Sequence, residues 1–215
     1  MVESVEQHYG NDGIVDRIVG ALTQSGFDME NLDPDVLAGA DEFHIGGREG
    51  TAHVASAIDL ANGDALLDVG CGIGGAARYL ARTTGASVTG VDLTPESIEA
   101  AIKLSDLVGM GGQVDFKVGS ATELPFMDNM FDAVTMLHVG MNIEDKNQLM
   151  RELARVCRSQ GTVVIYDVTT TGTDDLPYPM PWSSTSEFSF PEPVGNLRRG
   201  GSSSRSGASR KLRPL

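Results

Sequence analysis

The sequence predicts an α/β fold: a doubly wound, mainly parallel sheet with a helical cap ahead of it. Three observations carry this expectation. Short apolar runs alternate with helix-length segments from Ala65 to Val168, and that alternation pairs strands in parallel through right-handed crossovers. The run Ala65-Leu66-Leu67-Asp68-Val69 enters a dense glycine turn, Gly70-Cys71-Gly72-Ile73-Gly74-Gly75. Asp92 closes the next strand, 20 residues after Gly72. In such sheets a ligand crevice lies outside the carboxyl ends of the strands.

Each element can be justified in chain order. Ile14, Val15, Ile18, Val19 and Leu22 fall on one helical face, and Gly26 can stop that helix. Asn31-Leu32-Asp33-Pro34-Asp35 reads as a turn or cap before a short helix bearing Val36 and Leu37. Phe43-His44-Ile45-Gly46-Gly47 is a glycine-containing loop, and Thr51 to Leu60 reads as a helix. After the first strand, Ala76 to Arg82 is helical and Ala86 to Asp92 is the second strand. Thr94 is placed to cap the next helix, with Pro95 at its first position and Ser97 near where a capping-box glutamate often sits. That helix runs to about Val108. Gln113 to Val118 and Met130 to Leu137 are the third and fourth strands, Glu144 to Arg158 a helix, and Thr162 to Val168 the fifth strand. Leu176 to Trp182 is too rich in proline for a helix or sheet interior. From Gly195 on, Gly, Ser and Arg offer almost nothing to bury, so this stretch reads as disordered.

Composition narrows the function classes. The chain has 215 residues and a net charge of −14, which suits one domain with additions. Its 30 acidic residues all precede Pro193, while Gly195 to Leu215 carries only basic charges. An acidic body repels phosphate backbones, so a nucleic-acid substrate is disfavoured. No apolar run approaches the roughly 18 residues of a membrane span, and the acidic Met1-Val2-Glu3-Ser4-Val5-Glu6 is not a secretory signal. Cys71 and Cys157 stand alone and far apart, which points to a reducing cytoplasm and against a disulfide framework. No Cys/His spacing suggests a metal.

The chemistry sits around the glycine turn. Gly70, Gly72 and Gly75 satisfy G-x-G-x-x-G after a strand and before a helix. That pattern alone admits a nicotinamide cofactor, hence an oxidoreductase. The Asp92 carboxylate can accept from both hydroxyls of a ribose. Asp68 discriminates, because a dinucleotide would bring its anionic pyrophosphate to this carboxylate. S-adenosylmethionine carries no phosphate and offers a cationic ammonium and sulfonium, which an acidic loop favours. Ser120 and Ala121, after the third strand, are placed to read an adenine edge, and Leu93 to pack on its face. At the end of the fourth strand, Leu137 and His138 fall near the sulfonium end. His138 weighs equally as a structural hydrogen-bonding residue and as a catalyst, and Asn142 equally as a helix cap. Cys71 lies in the loop without a redox partner. The methionines, among them Met110, Met127, Met136 and Met141, read as packing.

Residues Ala65 to Val168 resemble class I S-adenosylmethionine-dependent methyltransferases. The resemblance rests on the glycine loop, Gly90-Val91-Asp92-Leu93-Thr94, Leu124-Pro125-Phe126 and Phe131-Asp132-Ala133-Val134. His8-Tyr9-Gly10, Phe43 to Gly47, His138 to Lys146, Tyr166-Asp167-Val168 and Tyr178 to Trp182 look like the small-molecule subgroup. That subgroup includes sarcosine/dimethylglycine N-methyltransferases and relatives of the ubiquinone/menaquinone C-methyltransferases. The resemblance implies a Rossmann-like fold and a cofactor site lined by Asp68, Gly70, Gly72, Asp92, Leu93, Ala121 and His138. It implies Tyr9, His44 and Gly46 in a cap over the site, and Tyr178 and Trp182 beside the methyl acceptor. An amine acceptor is favoured; C-methylation of a quinone precursor and an inactive cofactor-binding module are the alternatives. Two departures stand out. The family usually has Asp where this chain has Ser120. It also continues into a further helix and an antiparallel hairpin, whereas the Ser/Arg-rich end here shows no strand pattern and suggests a frameshifted or truncated product. The expected organisation is a helical cap over 1–47, a cofactor-binding domain over 48–168, an acceptor-side lid over 169–194 and a disordered tail over 195–215.

Overall fold

The computed structural model describes residues 13–41 and 44–169. Helix α1 (Ile14–Gln24), a 3-10 turn (Pro34–Leu37), α2 (Ala38–Asp41) and α3 (Gly47–Ser56) precede the sheet. Then β1 (Ala65–Val69), α4 (Gly75–Thr84), β2 (Ser87–Asp92), α5 (Pro95–Leu107) and β3 (Val114–Val118) alternate. They are followed by β4 (Phe131–Leu137), a 3-10 turn (Gly140–Asn142), α6 (Lys146–Val156) and β5 (Cys157–Tyr166). The strand order is β3-β2-β1-β4-β5, with every pair parallel. The α/β doubly wound fold predicted from the sequence is therefore the fold observed. The connection reverses direction beside β1 and β4, the switch point where such sheets open a crevice. Among the described residues no helix is long and apolar enough to cross a membrane.

The alternation along β1 decides which residues meet the cap. Leu66 joins a core with Leu22, Leu37, Val54, Leu80 and Leu104, from the cap, α4 and α5. Leu67 and Val69 point the other way, into a second core with Met136, Leu149 and Leu153 under α6. Strand side chains alternate with period two, so Asp68 shares the cap face with Leu66. Asp68 pairs in register with Thr135 of β4, which lies on the same face.

A buried ion pair fastens the cap. Arg78 of α4 donates to Asp41 of α2 at 2.5 Å, with side chains 2% and 3% exposed. Arg78 also donates to Ser105 Oγ on α5 at 3.0 Å. Removing one partner would leave a buried charge uncompensated, which is far costlier than losing a surface pair. Gly75 admits this approach: a Cβ there would lie 2.6 Å from the Asp41 carbonyl oxygen.

Some boundaries differ from expectation. The helix expected over Thr51 to Leu60 begins at Gly47, behind Gly46 in the left-handed region, and stops at Ser56. The chain then turns so that Ile58 reaches the core. Helix α6 ends at Val156, not Arg158, and β5 begins at once with Cys157 opposite Phe131. The register then shifts, so that Ala133 faces Thr162. Thr94 sits at the N-cap of α5, but its side chain makes no capping bond. The cap of α6 is Asp145, which accepts from the Gln148 N–H at 2.8 Å, and not Asn142. The segment beyond Thr169, including the expected lid and tail, lies outside the described residues.

Candidate cofactor and acceptor site

A cavity of about 750 Å³ opens at the carboxyl ends of β1, β2 and β4. This is toward the upper part of the usual range for ligand sites. Every residue assigned to the cofactor on sequence grounds lines it: Asp68, Gly70, Cys71, Gly72, Asp92, Leu93, Ser120, Ala121, Leu137 and His138. His44 and Asn142, expected on the acceptor side, line it too. Gly46 does not touch the cavity; it packs behind, toward Tyr166. Tyr9, Tyr178 and Trp182 lie outside the described residues. The sequence reading missed Ile14, Arg17 and Asp41, which the cap brings to the rim from far along the chain.

The glycine turn folds back on β2: the Gly70 and Cys71 N–H groups both donate to the Val91 carbonyl, at 2.7 and 3.1 Å. Gly70 has φ 74°, and Val139 closes over the position a side chain would take. Asp92 organises the turn from the next strand. Its Oδ2 accepts from the Gly72 N–H at 2.9 Å and its Oδ1 from the Thr94 N–H at 2.9 Å. Each carboxylate oxygen keeps a second lone pair for a donor from a ligand. Leu93 is 42% exposed at the rim, placed to cover a flat ligand face.

Asp68 is 2% exposed. Its Oδ1 accepts from Thr135 Oγ1 at 2.9 Å, while Oδ2 has no hydrogen-bond partner among the described residues. Burial pushes its carboxyl up to about 6; the Thr135 bond opposes that rise and the nearby Asp92 charge adds to it. A buried carboxylate with a free oxygen calls for a cation or a donor. The Cys71 thiol is pushed up by burial, then by the charges of Asp68 and Asp92. It is therefore a packing group and not a nucleophile.

Helix α6 holds the loop after β3. Glu152 Oε2 accepts from the Leu124 N–H at 2.7 Å, Arg155 donates to the Leu124 and Phe126 carbonyls, and Gln148 Nε2 donates to the Thr122 carbonyl. Ser120 Oγ lies 2.8 Å from Thr122 Oγ1, so its hydroxyl is already engaged within the loop. This network ties residues 26 or more positions apart, which no local sequence pattern announces.

On the opposite side, His138 follows β4 with φ 56°, a conformation non-glycine residues seldom adopt. Its N–H donates to the Tyr166 carbonyl at 2.8 Å, and its ring Nδ1 has no partner among the described residues. Burial, then the neighbouring His44, pushes its imidazole down to about 4. The following turn is pinned from two directions. Asp167 Oδ2 accepts from the Met141 N–H at 3.1 Å, and Lys146 Nζ donates to the Gly140 carbonyl at 2.7 Å and to that of Ile143.

Residues 67–165 match a family model described as a methyltransferase domain. Methyltransferase GfsG of Streptomyces halstedii is 36% identical over 148 residues, covering 69% of this chain and 50% of that one. A probable chloroplastic tocopherol O-methyltransferase of Oryza sativa subsp. japonica is 42% identical over 100 residues, 46% of this chain and 28% of the relative. The solved Haemonchus contortus phosphoethanolamine N-methyltransferase 2, in complex with S-adenosyl-L-methionine, superposes with a TM-score of 0.56 at 28% identity. That superposition covers 61% of this chain and 30% of the other. The chain spans half or less of the length of these relatives.

Proposed function

We propose that this chain, whose residues 67–165 match a methyltransferase-domain model, is a class I S-adenosylmethionine-dependent methyltransferase that transfers a methyl group to a small amine acceptor. The observation that carries the reading is the buried Asp68 with an unpartnered carboxylate oxygen in the cavity wall. The cofactor's ammonium meets its need for a cationic donor. Asp92 would hold the ribose hydroxyls, the loop at Ser120 and Ala121 would meet the adenine edge, and Leu93 would cover its face. When bound, the cofactor supplies a carbon activated toward displacement by its sulfonium. The chain's own part is to orient the acceptor and to exclude water. His44, His138 and Asn142 face the acceptor. His138 is neutral at physiological pH and offers a ring lone pair to a donor on that molecule.

The preference for an amine follows from the lining. Asp41, Asp68, Asp92, Glu144 and Asp145 border the cavity, with Arg17 as the cationic side chain among its described lining. Such a field draws in cations and repels anions. Arg48 does not line the cavity; it donates to Asp35 at 2.9 Å and stacks on Tyr79. Methyl-transfer assays across glycine derivatives, phenolic quinone precursors and sterol-like acceptors test the reading. Turnover of amines supports it; turnover confined to phenolic carbon acceptors overturns the amine assignment.

A pH prediction follows from Asp68. The neutral carboxyl cannot pair with an ammonium, so affinity for S-adenosylhomocysteine, read by calorimetry, should fall as pH drops through about 6. The slope should approach about tenfold per pH unit. Asp68→Asn should bind weakly and lose that slope. A wild-type affinity that stays flat from pH 7.5 to 5 contradicts the role.

A further inference from the structure

Tyr166 ends β5 and is not part of the cavity lining, yet it touches both imidazoles that are. Its ring centroid lies 5.5 Å from that of His138, tilted by 36°, and 6.3 Å from that of His44, near edge-on at 72°. The two imidazoles lie 5.7 Å apart. The tyrosine's other side meets the start of α3 where side chains are missing. A Cβ at Gly46 would lie 2.8 Å from the Tyr166 hydroxyl, and one at Gly50 would lie 3.3 Å from its Cε1 and 3.4 Å from His44 Cε1. The glycines of His44-Ile45-Gly46-Gly47-Arg48-Glu49-Gly50 thus make a seat for one aromatic ring. His44 is held over that seat by Thr51, whose hydroxyl lies 3.0 Å from Nε2 and which is fully buried. The backbone joins in: the Tyr166 carbonyl accepts the His138 N–H at 2.8 Å.

We propose that Tyr166 is a positioning residue: seated on Gly46 and Gly50, its ring covers the side of His44 and His138 turned away from the cavity and fixes both imidazoles where the methyl acceptor enters. This deepens the methyl-transfer reading and rests on it only for its kinetic consequence. The Tyr166 ring adds to the burial around His138; burial first, then the neighbouring His44, pushes that imidazole down to about 4. Against the His138 ring lie His44 ahead of α3 and Tyr166 on β5, and the cavity it shares is lined by the charged groups Arg17 on α1, Asp41 on α2, Asp68 on β1, Asp92 on β2, and Glu144 and Asp145 before α6. A neutral, oriented imidazole accepts a hydrogen bond and does not repel a cationic amine. The site thereby selects acceptors that bring an N–H or O–H to the His138 side.

The test is an NMR titration of the imidazoles in the full chain, with His138 identified by His138→Gln. Tyr166→Val, a β-branched residue that a strand accepts, should raise the His138 midpoint by at least one pH unit. Tyr166→Phe should keep the wild-type midpoint. In amine-methylation assays at saturating S-adenosylmethionine, which removes the Asp68 effect on cofactor affinity, the acid limb of kcat/KM for the amine should move with the midpoint in Tyr166→Val and stay in Tyr166→Phe. An unchanged midpoint in folded Tyr166→Val overturns the proposal. Should Tyr166→Val not fold, Tyr166→Leu, which also removes the ring, takes its place: a raised His138 midpoint supports the proposal and an unchanged one overturns it. Because the titration needs no cofactor or substrate, a chain that methylated nothing would sink the methyl-transfer reading and leave this result standing.

Discussion

Gly70→Ala is expected to unfold at markedly lower urea concentration and to lose cofactor affinity. Two independent costs meet at this position. Its φ of 74° lies in the left-handed region, which costs an L-residue about 1–2 kcal/mol. The added Cβ would also lie 2.1 Å from Val139 Cγ2 and 3.0 Å from Val139 Cβ. Val139 is held by the pinned turn after β4, so it cannot step aside freely. Overpacking of this kind costs about 1–3 kcal/mol. The sum, about 2–5 kcal/mol, is a large share of the stability of a typical domain. Equilibrium unfolding in urea reads it. Gly70→Ala combined with Val139→Ala should recover part of the loss, because the second change relieves the clash and leaves the dihedral cost. A single variant as stable as wild type would show that the turn relaxes, and the close approach would then carry no weight.

Asp92→Ala should weaken S-adenosylhomocysteine binding by at least about 100-fold. Two hydrogen bonds to a charged acceptor are worth about 1.5–3 kcal/mol each, and 1.4 kcal/mol is about a factor of ten in affinity. The same carboxylate also holds the Gly72 and Thr94 N–H groups, so its loss frees the turn that forms the floor of the site. Asp92→Asn separates the two effects. It retains one acceptor oxygen, and its affinity should fall between wild type and the alanine variant. Calorimetry at neutral pH measures each, with urea unfolding as the control for folding. Undiminished affinity in Asp92→Ala would count against the whole assignment of this cavity to the cofactor.

Much of the site was legible because its residues are local to strand ends. A glycine turn between a strand and a helix, and an acid at the end of the next strand, are short-range patterns with one geometric outcome. What escaped was long-range. Arg17 and Asp41 reach the cavity only because the cap folds over the sheet, and Arg78 pairs with Asp41 across 37 positions. Thr135 meets Asp68 through strand register. Tyr166 looked like part of a motif; only packing against Gly46 and Gly50 gives its ring a task. Position alone suggests Thr94 as a cap and weighs Asn142 equally as one, but Asp92 and Asp145 hold the nearby N–H groups. Side-chain reach decided those two cases.

The sequence alone determined the α/β class, the parallel pairing of its strands, and the residues from Asp68 to His138 that line the cavity at the strand ends. Hydrophobic period and turn chemistry act over a few residues, so they can be read without a structure. Only the tertiary structure decided which side chains of the cap and of β5 meet His138 and how deeply Asp68 and His138 are buried. The free oxygen of Asp68, the low-titrating His138 and the seat of Tyr166 all depend on which surfaces exclude water. That exclusion is made by segments far apart in the chain, and burial of this kind has no signature in any one of them.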